Sequence, residues 1–383
     1  MSYEERLLSL GIFKSELLVP ASEVDYSKYS VIACDQYTSE VGYWERAAKI
    51  AEGSPSSLNM VFPEVYLPKY TMSDAEKISK TMRKYLLDGA LRSIGENFVI
   101  VRRNTSAGVR SGLVVTVDLE RYNYSPGSRS IIRATERTIE ERLPIRVEIR
   151  KHAPLESSHV MLLIDDPKNT VIGKISSEWD TLEKLYDFDL MQGAGRISGR
   201  KVSEVGVICE SLEALKKKSE GMLFAVGDGN HSLAAAKLHW EFAKVGLNLE
   251  QRKTSKARFA MVEIVNLHDP GLAFHPIHRV IFGVSKDRFD VCDPENPLPL
   301  QDLQPKIDKW LIRHPEARID YIHGKEEALK LAKAEDAIAI LMPEFDKSTL
   351  FSDVRKNGAL VKKSFSMGEA KDKRHYLEVR KII

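Results

Sequence analysis

The sequence predicts an α+β protein, a mixed sheet core with flanking helices and a small α/β subdomain at its C-terminal end. Three observations carry this expectation. The stretches 29–51 and 222–245 each read as a short apolar run, a polar loop and a helix. Between them lie β-branched runs of alternating apolar residues. In the clearest of these, Leu113, Val115 and Val117 form one face and Val114 and Thr116 the other, which suits a strand well covered on one side and at least half covered on the other. After residue 286 the texture changes: Pro294, Pro297, Pro299 and Pro305 mark a linker, beyond which helix and strand patterns alternate. The expected division is a main domain over 1–285 and a subdomain over 286–383.

Taken in order, 29–33 is a strand candidate that runs through Cys34-Asp35-Gln36-Tyr37-Thr38-Ser39 into a helix over 40–51, with Ser39 as its cap. Ser73-Asp74-Ala75-Glu76 spells a capping box for a helix that stops at Gly89. Strands are expected at 98–102, 112–118 and 160–164, the last ending in Asp165-Asp166. The charged tract 138–143 reads as a short helix closed by Pro144. A helix over 177–190 should give way to a flexible glycine-rich loop, 191–200, carrying Arg196 and Arg200. A basic helix, 212–219, precedes the strand 222–226, and another strand covers 259–265. In the last part, helices near 307–314 and 325–334 alternate with strands at 317–322 and 337–342, with some parallel pairing. Ser366 and Glu369 form a further capping box, and 374–383 ends the chain as a basic segment.

Composition narrows the function classes. The 57 basic residues nearly cancel the 55 acidic ones over 383 positions, so no global field draws the chain to nucleic acid or an anionic membrane. No apolar run approaches the length that spans a bilayer. Cys34, Cys209 and Cys292 are odd in number and far apart, which points to a reducing cytoplasm rather than a disulfide framework or a metal cluster. A small-molecule partner is expected, with homo-oligomerisation left open.

Chemistry concentrates at Gly227-Asp228-Gly229-Asn230-His231-Ser232, between an apolar run and a helical pattern. The glycines allow close backbone approach to a ligand, and the helix that follows aims unpaired N–H groups into the same space. Asp228 and His231 add groups able to move a proton. A plain glycine turn with Asn230 or Ser232 as helix cap satisfies the same pattern. The loop lacks the Gly-Lys-Ser/Thr of a P-loop and the third glycine of a dinucleotide site. Other candidates are Arg133, Glu136 and Arg196 for anion binding or catalysis, Asp35, Gln36 and Tyr37 after the first strand, and His278 with Arg279. No metal-ligand spacing accompanies the histidines.

Several segments together resemble one family. They are 33–39, Arg133-Ala134-Thr135-Glu136, Ala153-Pro154-Leu155-Glu156 leading to 163–166, the stretches 191–199 and 227–232, His278-Arg279-Val280, and 363–370. In this order they resemble the bacterial and archaeal family catalogued as domain of unknown function 1015, over nearly the whole chain. The loop is also similar, more distantly, to the nucleotide-phosphate signature of the superfamily of ParB-type partition proteins, sulfiredoxins and an archaeal free-serine kinase. Asp228, Gly229, His231 and the Ala234-Ala235 pair match that signature. Asn230 replaces a histidine, and Ser232 stands where the signature has a phosphate-binding arginine. The resemblance implies ATP or ADP with Mg2+ and leaves the missing positive charge to another segment.

The leading reading is a nucleotide-dependent phosphotransferase acting on an amino acid or hydroxy-metabolite. In it Gly227, Gly229, Asn230 and Ser232 hold phosphate with help from Arg133 or Arg196, and Asp228, His231 and Glu136 do the chemistry. The alternatives are a hydrolase of a phosphorylated or amide metabolite, with Cys34 as nucleophile in one form, and a non-enzymatic nucleotide- or metabolite-binding regulator.

Overall fold

The computed structural model describes residues 1–333 and 336–383. It is an α+β fold built on a mixed sheet. The chain forms two compact units: Met1–Ala134, Thr138–Leu272 and Glu369–Ile383 make the first, and Thr135–Arg137 with Ala273–Gly368 the second. The expected division at 285/286 falls elsewhere for two physical reasons. The strand Phe274–Phe282 pairs only with strands that follow it, and the last fifteen residues return to the first unit.

Among the described residues, ten strands make the main sheet of the first unit. Across it the order is Lys184–Asp189, Arg196–Val202, Phe98–Thr105, Gly108–Asp118, Phe259–Asn266, Met161–Ile164, Phe224–Asp228, Ile132–Ala134 and Tyr122–Asn123, with Ile12–Phe13 also alongside Gly108–Asp118. The alternation seen in sequence sorts side chains to two cores. Ile100, Leu113, Val115, Val117, Leu162 and Ile264 face helices that include Gly206–Lys216 and Asn230–Ala243. Val99, Val101, Val114 and Met261 face the helix Met72–Leu87 and a second, antiparallel sheet ordered Leu91–Glu96, Glu16–Pro20, Val379–Lys381, Leu155–Ser157. Both faces of Gly108–Asp118 are covered, as its β-branched composition requires.

Several local expectations give way to specific contacts. Residues 29–33 are not a strand: Asp25 caps a short helix, Tyr26–Tyr29, and Ile32 makes only an isolated bridge to His375. The next helix, Val41–Ala51, has Glu40 rather than Ser39 at its N-cap. The capping box before Gly89 is formed by Thr71 and Asp74, two residues ahead of the predicted pair. The short charged helix expected before Pro144 is the 3-10 turn Glu140–Arg142, and Pro144 also opens the next helix, Leu143–His152, because a first-turn position needs no N–H. In place of the helix expected over 177–190, Ser177 ends the short helix Ile172–Ser177, Trp179–Thr181 makes a 3-10 turn and Lys184–Asp189 is a strand. The glycine-rich loop holds the turn Met191–Gly193 and then the start of the strand Arg196–Val202. Gly199 is needed there because Tyr186 lies across it, where a Cβ would fall inside the ring.

In the second unit, Phe274–Phe282 is the central strand, antiparallel to Arg318–His323, Ala337–Ile340 and Phe365–Met367. Pairing there is antiparallel throughout the described strands, since the flanking strands meet the central one rather than each other. The helix Leu300–Arg313, with Pro305 inside it, buries Leu303, Ile307 and Trp310 against Ile281, Ile338 and Ile340. The helix expected over 325–334 is Lys325–Leu331, and Ala334 lies outside the described residues. Ser366 lies in a strand, and Glu369 caps a short turn with Asp372.

The basic C-terminal segment is buried. Arg380 Nε donates to Glu156 Oε2 at 2.6 Å, Arg150 donates to Glu156 Oε1 at 2.6 Å, and the Met261 N–H donates to Oε2 at 3.1 Å. One carboxylate thus ties together a helix and both sheets. Burial alone would raise the Glu156 carboxyl, but Arg150 and Arg380 outweigh it and hold it below its ordinary 4.5. A carboxyl depressed by folding stabilises the native state above its unfolded pKa, and that contribution drains away as pH falls below about 4.5. Glu156→Gln is therefore expected to lose about 3–5 kcal/mol at pH 7. It should also show a shallower decline between pH 5 and 3 in urea unfolding. A decline as steep as the parent's would take Glu156 out of the acid transition.

Candidate functional site

The strand Phe224–Asp228 runs between Met161–Ile164 and Ile132–Ala134, so its C-terminal end opens beside the chain that precedes Met161. Gly229 then takes the left-handed conformation, with φ +73°, and the helix Asn230–Ala243 begins at once. Glycine is required twice over at this point. Its φ disfavours a side chain, and a Cβ would lie 3.0 Å from Val160 Cα and 3.3 Å from His159 Cδ2. No side chain caps the helix, so neither Asn230 nor Ser232 plays the cap role that the sequence allows. Asn230 Oδ1 is buried without a hydrogen-bond partner, which is unusual for a buried acceptor. The helix start therefore presents backbone donors and the positive end of its dipole.

Residues from three other segments meet this loop. Asp228 accepts from the Gly229 N–H at 3.0 Å through one oxygen, and its other oxygen lies 3.1 Å from Lys373 Nζ. Lys373 is only 9% exposed, an enclosed cation at the mouth of the loop. His159 places Nε2 3.4 Å from Asp35 Oδ2, and its Nδ1 lies 2.7 Å from the Tyr376 hydroxyl. That hydroxyl accepts from the Cys34 N–H at 3.2 Å. Burial raises the Tyr376 phenol well above its ordinary range, so it keeps its proton. Burial would raise the Asp35 carboxyl too, but His159, the Gln36 amide and Lys373 together hold it below the usual range.

These segments come together because 374–376 pairs with 31–33. Ala33 N–H donates to Arg374 O at 2.9 Å and Tyr376 N–H to Val31 O at 2.8 Å, which sets Lys373 and Tyr376 beside Cys34 and Asp35. A cavity of about 130 Å³ lies next to the cluster. Ser232, His159, Cys34, Ser157 and Tyr376 belong to its lining. Apolar side chains from 60–67, the helix Leu143–His152 and Ala235 line the rest, together with the charged residues Glu64, Arg146, Arg150 and Glu156.

The predicted site residues divide sharply. Asp228, Gly229, Asn230 and Ser232 stand at the helix start that Gly227 leads into, and Asp35 and Gln36 join them, with Gln36 donating to Asp35 at 3.0 Å. Tyr37 has φ +51° and stacks on Tyr43, with ring centroids 3.9 Å apart. His231 uses Nε2 to accept the Ile139 N–H at 3.2 Å, which ties this nitrogen to the neighbouring backbone. Arg133 bonds Ser130 O at 2.9 Å and lies beside Gly221, ahead of the strand, whereas the loop follows it. Arg196 is not a loop residue at all. It pairs with Asp187 at 2.8 Å and Asp189 at 3.2 Å, five strands from Phe224–Asp228 or about 24 Å by strand spacing. Glu136 belongs to the second unit, where it accepts the Ser364 N–H at 3.2 Å. His278 and Arg279 are interior groups of that unit. His278 Nδ1 accepts the Met342 N–H, and Arg279 bonds Gln304 and the carbonyls of Ile277, Lys362 and Lys363.

Sequence reasoning missed His159, Lys373 and Tyr376. None belongs to a motif; Tyr376 lies in the tail read only as a basic segment, and Lys373 stands just before it. Cys34 also changes standing. Burial, followed by the neighbouring Asp35, pushes its thiol up to about 12, so it is held protonated and does not serve as a nucleophile. Iodoacetamide at pH 8 is expected to leave Cys34 unmodified in the folded chain and to label it in urea, as read by mass spectrometry; equal labelling in both would refute this protection. Gly229→Ala is expected to cost about 1–2 kcal/mol through its left-handed backbone, before any contact with Val160 is counted. An unchanged melting temperature would mean the turn relaxes freely.

Comparison with known proteins adds a family. Among curated proteins no sequence matches the chain. Solved structures similar to it include a mutant free serine kinase in complex with ADP, 10% identical, covering 70% of this chain and 92% of that one at a TM-score of 0.40. Free serine kinase in complex with AMP is 12% identical, with coverage of 70% and 92% and a TM-score of 0.37. A conserved hypothetical protein from Pyrococcus furiosus is 12% identical, with coverage of 69% and 90% and a TM-score of 0.33. Likenesses of this depth say nothing about what this chain binds. A family profile is decisive where they are not: it matches residues 18–293, most of the chain, and the chain belongs to the family described as protein of unknown function (DUF1015).

Proposed function

We propose that this protein is a nucleotide-dependent phosphotransferase acting on a small hydroxylated metabolite. The observation that carries the proposal is the helix start at Gly229-Asn230, uncapped by any side chain and flanked by the enclosed cation Lys373. A helix N-terminus with a neighbouring cation suits the phosphates of a nucleotide. Lys373 supplies the charge that the sequence lacks at Ser232, in place of Arg133 and Arg196, which are engaged elsewhere.

Phosphoryl transfer asks mainly for positioning and charge neutralisation. In the proposed reaction the acceptor oxygen forms a bond to the terminal phosphorus as the bond to the nucleoside diphosphate oxygen breaks. Lys373 and the helix N–H groups balance charge on the transferring group. Asp228 takes the acceptor hydroxyl proton once Lys373 has turned to the phosphate. Asp228 is already engaged by Lys373, and Asp35 by His159 and the Gln36 amide, and so they do not form a protein-held Mg2+ site. No helix among the described residues is long and apolar enough to cross a membrane.

Thermal shift tests this directly, because a ligand that binds only the folded chain stabilises it by about 2.7 kcal/mol at 100 times its Kd. ATP or ADP should raise the melting temperature. Lys373→Met should weaken nucleotide binding at least tenfold. Asp228→Asn should keep the shift but slow phosphate transfer by about 10²–10⁴. The absence of a shift with any nucleotide at millimolar concentration would end the proposal.

A further inference from the structure

The acceptor is not chosen by the loop, and the cavity beside it carries information about that choice. Its wall is made largely by Met60, Val61, Phe62, Ile145, Ile149 and Leu155. The charged groups that reach it are already matched: Arg146 with Glu64, Arg150 with Glu156 at 2.6 Å, and His159 with Asp35 at 3.4 Å. Glu156 is further saturated by Arg380 and the Met261 N–H. A ligand entering this space meets apolar surface and no unbalanced charge. An ionised headgroup would be desolvated there without a free partner, at a cost that binding does not recover. A polyol would leave several hydroxyls facing methyl and methylene groups.

Polar residues nonetheless belong to the cavity's lining. Ser232, from the first turn of the loop helix, lines the cavity together with His159, Ser157 and the Tyr376 hydroxyl. A ligand hydroxyl held there lies beside the helix start at which the phosphates are proposed to bind. Size sets a second limit. A dry apolar cavity of about 150 Å³ holds benzene, so the 130 Å³ here accommodates roughly six heavy atoms.

We infer that this cavity is the acceptor pocket and that it takes an uncharged alcohol of about six or seven heavy atoms, with a branched or cyclic apolar body and a single hydroxyl directed at Ser232 and His159. The inference rests on the phosphotransferase reading for the fate of the hydroxyl, but alcohol binding itself does not.

The test is titration calorimetry of the full chain, without nucleotide, using cyclohexanol, 3-methylbutan-1-ol and glycerol. The first two are expected to bind with a negative heat-capacity change, the mark of apolar burial, and glycerol is not. Val61→Phe, at a half-buried position that tolerates a larger side chain, should weaken cyclohexanol binding at least tenfold. Phe62→Ala should enlarge the cavity and admit 2-phenylethanol. Glycerol binding as well as cyclohexanol, or unaltered cyclohexanol affinity in folded Val61→Phe, overturns the inference. A second arm follows phosphate transfer from ATP. Transfer to glycerol or serine but not to cyclohexanol overturns the pocket assignment and leaves the phosphotransferase standing. Cyclohexanol binding with no nucleotide binding at all leaves the pocket standing and removes the phosphotransferase.

Discussion

Two buried arginines near the end of the chain, Arg374 and Arg380, set the conditions for everything else in the first unit. Arg374 meets Glu263 at 3.2 Å and Glu378 at 2.7 Å, and Arg380 meets Glu156 at 2.6 Å. A guanidinium removed from water must be matched nearly completely, since an unpaired partner left behind costs several kcal/mol. The surrounding structure is shaped for that match. Gly112 leaves room for Glu263, whose carboxylate would collide with a Cβ there, and Glu263 also faces Arg110. The C-terminal segment consequently has one register against residues 31–33 and against the second sheet, and that register fixes where Lys373 and Tyr376 stand.

The candidate site inherits its geometry from this lock rather than from its own loop. Asp228 and Gly229 are placed by the strand and helix on either side of them, a local consequence of the chain. The cation facing Asp228 and the phenol holding His159 come from a segment more than 140 positions away. The Asp35–His159–Tyr376 chain joins a loop, the lead into a central strand and the C-terminal tail, each contributing one group. Such an arrangement is stiff, because no member can shift without uncovering another buried polar atom.

How much of this was legible in the sequence follows from how local each determinant is. The central strands showed through because alternation at 98–118 and the apolar runs at 160–164 and 222–226 reflect burial along the strand itself. The helix after Gly229 showed through for the same reason. Failures came where a neighbour overrode a local pattern. The stretch after Ser177 has helical spacing, yet pairing with Arg196–Val202 makes it a strand. The glycines near Arg196 suggest a mobile loop until Tyr186 is seen lying across Gly199. Arg133, Arg196 and Arg279 carry the right charge for a phosphate but satisfy carbonyls and carboxylates of their own surroundings.

The sequence by itself determined the fold class, the family, and a glycine-bounded strand–loop–helix turn suited to close approach by a ligand. The fold class and the turn depend on periodicity and on backbone freedom, which are properties of neighbouring residues, whereas the family rests on the resemblance of short segments in their order. Only the tertiary structure decided which cation faces Asp228, that His231 Nε2 is tied to the Ile139 N–H, that Cys34 is a protonated thiol, and that an apolar cavity opens beside Ser232. Those outcomes depend on burial and on partners distant in the chain. A basic tail looks the same in sequence whether its charges are solvated or locked inside the core.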